Sequence, residues 1–219
     1  MKKDDAFFMG QKSKYNILQR LYKALEQNTE IPYPEIKDDN GIFAPAPEDL
    51  ERLFALQFKA LGGEFYYCKN NKELIVQLSE LLDRKGLAQL HCADAKLLFL
   101  LKEGGFNKAI NTQEKMTEGS VSISSCMQLV ARTGSILFSS VQIEGRSYAI
   151  APDAQIVISS TGQLVYNINE AILPHYHKFS PMPSMISLCS GASRTADIEK
   201  TLVMGAHGPK ELIVFCVDL

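Results

Sequence analysis

Apolar residues recur at three- and four-residue steps over residues 12–27, where Tyr15, Leu18, Leu21, Tyr22 and Leu25 stand among Lys, Gln, Arg and Glu. That spacing puts them on one stripe of an amphipathic helix. The pattern then stops. Four prolines, Pro32, Pro34, Pro45 and Pro47, flank the polar run Lys37-Asp38-Asp39-Asn40-Gly41. Each removes a backbone donor and fixes φ, so the stretch is expected to be extended loop. Residues 1–47 therefore read as an N-terminal helical arm with a Pro-rich linker, and residues 48–219 as the folded domain.

A second helix is predicted from Glu48, with Leu50, Leu53, Phe54, Leu56 and Phe58 turned inward and Gly62-Gly63 as its stop. Phe65-Tyr66-Tyr67-Cys68 is short, aromatic and bounded by turn residues, the mark of a strand. Residues 71–84 return to helical spacing, with Leu74, Ile75, Leu78, Leu81 and Leu82 on one side. Strands at 88–92, 135–139, 155–159, 185–189 and 212–217 then alternate with helices at 95–102, 165–173 and 197–204. Near-continuously apolar strands separated by helices predict an α/β fold with a mostly parallel sheet flanked by helices.

Composition narrows the partners. With 23 basic and 25 acidic residues the formal charge is −2, which supplies no basic field for a phosphate backbone, so nucleic acid is excluded. The longest apolar runs, 97–101 and 212–217, fall far short of the roughly 20 residues of a membrane span. Asp4 and Asp5 precede only a short apolar run, which is no signal-peptide core, and a cytoplasmic protein is expected. Cys68, Cys92, Cys126, Cys189 and Cys216 are scattered with no CxxC pair, a reduced-compartment pattern in which thiols act as small hydrophobes. His175-x-His177 has no third ligand nearby in the sequence, so no metal is assigned.

The most informative segment is Cys189-Ser190-Gly191-Ala192-Ser193-Arg194-Thr195-Ala196-Asp197, read as lying between an apolar strand and a helix. Small residues let the backbone approach a ligand, and a helix start offers unpaired N–H groups to an anion. Arg194 suits a carboxylate or phosphate, while Ser193 or Thr195 suits the cap. The same residues also make an ordinary helix start, with Asp197 in the first turn and an acid for Arg194 to pair with. The run lacks the lysine of a P-loop. His207, in the turn Gly205-Ala206-His207-Gly208-Pro209, suits a general base, an anion contact or a hydrogen-bonded loop histidine. Arg132-Thr133-Gly134 precedes a strand and either faces the same crevice or is a simple Thr-Gly turn.

The run SGASRTADIE at 190–199 followed by TLVMGAHGPKEL at 201–212 resembles the C-terminal signature of the lactate-utilisation protein C, or LUD-domain, family, close to SGPSRTADIE and then TLVLGVHGPREL. Ala131-Arg132-Thr133-Gly134-Ser135 is similar to that family's AETGT stretch. The resemblance implies a fold like that of the sugar-isomerase and CoA-transferase group. It also implies a place in oxidation of L-lactate to pyruvate beside partner subunits that carry iron–sulfur clusters, this chain being a cofactor-free, non-redox accessory subunit. The anion site would then comprise Ser190, Gly191, Ser193, Arg194, Thr195, Asp197 and His207, with Arg132, Thr133 and Gly134, and its ligand would be a small carboxylate or phosphate. Two positions depart from the family pattern. Ala192 replaces a proline, and Arg132 stands where glutamate is usual, which favours anion binding over proton abstraction because arginine stays protonated. Fold likeness alone would suggest a stand-alone transferase or ligase acting on an acyl, CoA or nucleotide substrate.

Overall fold

A computed structural model describes residues 3–26, 43–87, 90–112, 119–140, 151–176, 183–198, 201–204 and 208–218. The chain divides into two units, Met1–Pro45 and Ala46–Leu219. In the first, helix α1 spans Lys3–Leu25, starting earlier than the apolar spacing predicts. Its stripe of Tyr15, Leu18, Leu21, Tyr22 and Leu25 is exposed. Linker residues 27–42 lie outside the described residues.

The second unit opens with α2 (Leu50–Ala60), whose start is capped by Asp49, the carboxylate accepting from Arg52 N at 2.8 Å. Phe54 and Phe58, one turn apart, are its buried residues, whereas Leu56 is 60 % exposed. The expectation that Leu56 points inward fails because two residues along a helix is about 200° of rotation. Strand β1 (Glu64–Cys68) leads into α3 (Asn71–Lys85). Asn70 caps α3 through Glu73 N, Glu73 returns to Lys69 N, and Gly86 closes it in the left-handed region. Next come β2 (Leu90–His91), α4 (Ala95–Glu103), β3 (Ile110–Asn111) and β4 (Val121–Ser125). Asp94 caps α4 with one carboxylate oxygen and accepts from Ser125 Oγ at 2.6 Å with the other.

Strands β5 (Gln128–Val130), β6 (Ser135–Ser139), β7 (Ala154–Ser160) and β8 (Leu164–Val165) precede α5 (Ile168–Tyr176). The chain ends with β9 (Ile186–Cys189), β10 (Arg194–Ile198), β11 (Thr201–Met204) and β12 (Glu211–Val217). The main sheet runs β1-β12-β7-β4-β2-β3, and every pairing among its described residues is parallel, as the α/β reading expects. Between β1 and β7, β12 splits its side chains by strict alternation. Ile213, Phe215 and Val217 enter one core with α3 and α4, and Leu212, Val214 and Cys216 enter the other with Phe54 and Phe58 of α2.

Three expectations are corrected. Residues 135–139 and 185–189 do form strands, but as antiparallel partners in a second sheet, β8-β5-β6-β9, and not within the parallel one. The helix predicted at 165–173 begins later, after β8 pairs with β5 through Leu129–Leu164 and Val130–Val165. The helix predicted at 197–204 is instead the antiparallel hairpin β10-β11, with Arg194 opposite Met204 and Thr195 opposite Val203. Thr195, Ile198, Thr201 and Val203 are β-branched, and their strand preference prevails over the helix-like acidic start. Among the described residues, no helix is long and apolar enough to cross a membrane.

Candidate anion-binding cavity

The turn after β9 is held from three directions. Ser190 Oγ lies 2.7 Å from Ser135 Oγ, which donates to Thr133 Oγ1 at 2.8 Å, so a hydroxyl chain ties the turn to the start of β6. Ser193 N donates to Pro209 O at 2.9 Å, just ahead of β12. The Arg194 guanidinium donates through Nη2 to Leu61 O at 2.8 Å, at the end of α2. Gly191 makes the close approach possible: at φ +87° a Cβ there would stand 2.8 Å from Leu61 O, and no L side chain fits that conformation and that gap together.

These contacts leave a cavity of about 460 Å³ walled by Ser190, Gly191, Ser193 and Arg194 on one side and by Gln155 and Phe138 on the other. Its position differs from expectation. Leu61, Gln155 and Pro209 lie at or just before the amino ends of β1, β7 and β12, whereas the sequence reading places the ligand at the carboxyl end of a parallel strand. The loop does follow a strand, but β9 belongs to the second sheet. No helix follows, so a helix terminus contributes no field at this turn, and the positive charge beside it is that of Arg194. Among the described residues no carboxylate forms an ion pair with Arg194.

Other candidates fall elsewhere. Arg132 is turned to Asn167, donating to Oδ1 through Nε at 3.3 Å and Nη2 at 3.1 Å, and it does not line the cavity. Thr133 reaches the site only through Ser135. Gly134, at φ +59°, lets α2 pack backbone against backbone, since a Cβ there would lie 2.5 Å from Phe58 N. The side chains of Thr195 and Asp197, all of His207, the side chain of His175 and all of His177 lie outside the described residues.

Electrostatics sets further limits. Burial pushes the Cys189 thiol above its ordinary range, and its Sγ donates to Gly191 O at 3.5 Å, so it lines the cavity as a neutral thiol. Desolvation likewise raises Cys68, Cys92 and Cys216 to about 11, and Cys126 further still. Below the rim, Asp153 accepts from Gly119 N at 2.5 Å and pairs with Lys210 at 3.0 Å, and these two contacts hold its carboxyl below the usual range. Among the described residues no three His, Cys, Asp or Glu side chains converge as metal ligands.

Gln155 and Phe138 escaped the sequence reading. One signal was present: Gln155 is a lone amide in the apolar strand Ala154-Gln-Ile-Val-Ile, and a polar residue in such a run is more informative than the apolar ones around it.

A family model described as the LUD domain matches residues 51–217. An uncharacterized protein of Neisseria meningitidis serogroup B is 27% identical over 227 residues, covering 92% of each chain. Lactate utilization protein C of Halalkalibacterium halodurans is 31% identical over 99 residues, 44% of this chain and 43% of that protein. Its Bacillus subtilis counterpart is 34% identical over 100 residues, 44% and 41% respectively. The alignments with these two thus span less than half of each relative. The crystal structure of a DUF162 family protein from Deinococcus radiodurans superposes with a TM-score of 0.58 at 17% identity, covering 79% of this chain and 99% of that one, a likeness of fold.

Proposed function

This chain belongs to the LUD-domain family, and from that premise we propose that it serves lactate utilisation as a subunit without redox chemistry of its own, binding a small carboxylate or phosphate in the cavity at loop 190–195. Its partners in this reading are iron–sulfur subunits that oxidise L-lactate to pyruvate, and its contribution is to hold the anion rather than to transfer electrons. The names carried by its relatives motivate the process. The observation that supports the binding role is Arg194, exposed at the wall of a cavity and unopposed by any carboxylate among the described residues. One Nη2 hydrogen bond to Leu61 O orients the guanidinium, and the remaining N–H groups are available to a two-oxygen acceptor. Ser190 and Ser193 add hydroxyls beside it.

The test is a calorimetric titration of the full chain with sodium lactate, sodium pyruvate and inorganic phosphate in separate runs. At least one of the three is expected to bind with a dissociation constant in the millimolar range or tighter, and Arg194→Ala is expected to weaken it by roughly tenfold or more, the scale of a lost charge-assisted pair. Heats indistinguishable from dilution for all three anions would remove the binding role. For the assembly, co-purification of a chromophoric iron–sulfur protein with the tagged chain from its native cell is expected.

A further inference from the structure

We infer that the ligand of this cavity is longer than lactate: an organic acid whose carboxylate meets Arg194, whose apolar body lies along Phe138 and Met185, and whose far end carries a hydroxyl received by Gln155. The inference rests on the anion reading above and names the class of acid.

Three observations carry it. The first is size. A cavity of about 460 Å³ holds on the order of fifteen waters at about 30 Å³ each, many times the volume of a three-carbon acid. The second is the wall. Phe138, Met185 and Pro209 add apolar lining, which a compact hydroxy acid would leave uncovered. The third is Gln155. It is 1% exposed yet lines the cavity, and its amide makes one hydrogen bond among the described residues, from Nε2 to Ser124 Oγ at 3.3 Å. Its Oε1 therefore has no protein partner among the described residues, and as a cavity-lining acceptor it is open to a ligand hydroxyl. Beside it across the sheet, Ser122 pairs in register with Gln155 and buries a hydroxyl that has no hydrogen-bond partner among the described residues.

Placement sets the two polar groups apart across the sheet. Arg194 is anchored ahead of β1, and Gln155 stands on β7, with β12 between them. Two strand spacings are about 9.5 Å, whereas the carboxylate and hydroxyl of lactate are neighbours on adjacent carbons. A chain of several methylenes with a terminal hydroxyl, which can donate to Gln155 Oε1, fits the interval.

The experiment titrates the full chain with lactate, hexanoate and ω-hydroxyhexanoate. Each methylene buried against the wall is worth about fourfold in affinity, so hexanoate is expected to bind at least tenfold tighter than lactate, and the ω-hydroxy acid tighter again. Gln155→Leu, close in volume, is expected to abolish the advantage of the ω-hydroxy acid over hexanoate while leaving hexanoate binding in place. The ranking of the three acids on the wild-type chain stands whether or not that variant folds. If hexanoate binds no tighter than lactate, this inference is overturned and the anion reading survives. If none of the acids binds, this inference falls, and the anion reading then stands or falls on the pyruvate and phosphate titrations. If the two long acids bind equally and Gln155→Leu changes neither, the assignment of Gln155 is overturned.

Discussion

Strands β12 and β9 both border the cavity's neighbourhood, and they are built in opposite ways. In β12 every residue from Leu212 to Val217 is buried, with β1 and β7 as parallel neighbours on its two sides and a separate core on each face. In β9 none of the four residues is fully buried, and it is the edge of its sheet, paired with β6 alone. The difference teaches where this fold keeps its stability and where it keeps its chemistry. A strand covered on all sides tolerates little change, while an edge strand can deliver a turn of small residues to a cavity without weakening the core.

The largest expected effect tests that division directly. Phe215→Ala removes a fully buried ring stacked on Tyr66 at 4.8 Å between centroids, and should cost roughly 3–5 kcal/mol by denaturant unfolding. Leu188→Ala, at a β9 side chain 37% exposed, should cost below about 1.5 kcal/mol. Equal losses for the two variants would mean that the second sheet is as much a part of the cooperative core as the first.

Next in size is the hinge between the two regions. Gly191→Ala places a Cβ against Leu61 O at a positive φ, and should cost about 1–3 kcal/mol in stability. It should also weaken anion binding, because the turn must withdraw from α2 and take Arg194 off its anchor. Retention of full affinity for lactate or phosphate in this variant would show that the clamp on Leu61 does not shape the site.

The same contrast explains what could be read from the residues beforehand. Helix α3 and strand β12 announce themselves because burial on one stripe, or on both faces, leaves a hydrophobic period that no other structure would use. Strand β4 hid itself: in Val121-Ser-Ile-Ser-Ser the alternate serines are buried, Ser122 and Ser124 facing the interior between β2 and β7, so the hydropathy pattern looks half exposed. The hairpin β10-β11 was mistaken for a helix because Asp197 and Glu199 imitate an acidic first turn while the β-branched residues that decide the matter are spaced further apart. Within the site, Ser190, Gly191, Ser193 and Arg194 stood out as a contiguous run. Gln155 and Phe138 could not be joined to them, since β6, β7 and β9 meet only when two sheets pack. Arg132 shows the converse, sitting next to Thr133 in the chain yet turned away to Asn167.

The smallest effect concerns the rim of the main sheet at the amino ends of its strands. Asp153 joins Gly119, ahead of β4, to Lys210, ahead of β12, and these contacts hold its carboxyl below the usual carboxylate range. A carboxyl depressed in the folded state stabilises the protein above its unfolded value and loses that contribution as pH falls through the folded one. Asp153→Asn should therefore lower stability at neutral pH and make no difference once the solution is acid enough to protonate the wild-type carboxyl. The amide can still accept from Gly119 N but cannot pair with Lys210, and water screens that pair, so the neutral-pH loss should stay below about 1 kcal/mol. Urea unfolding of both proteins at a series of pH values from neutral to below 3.8 measures it. Curves that stay parallel over the whole range would place the stabilisation in the hydrogen bond and not in the charge. Curves that converge on acidification would show that the rim is held electrostatically where the centre of the sheet is held by packing.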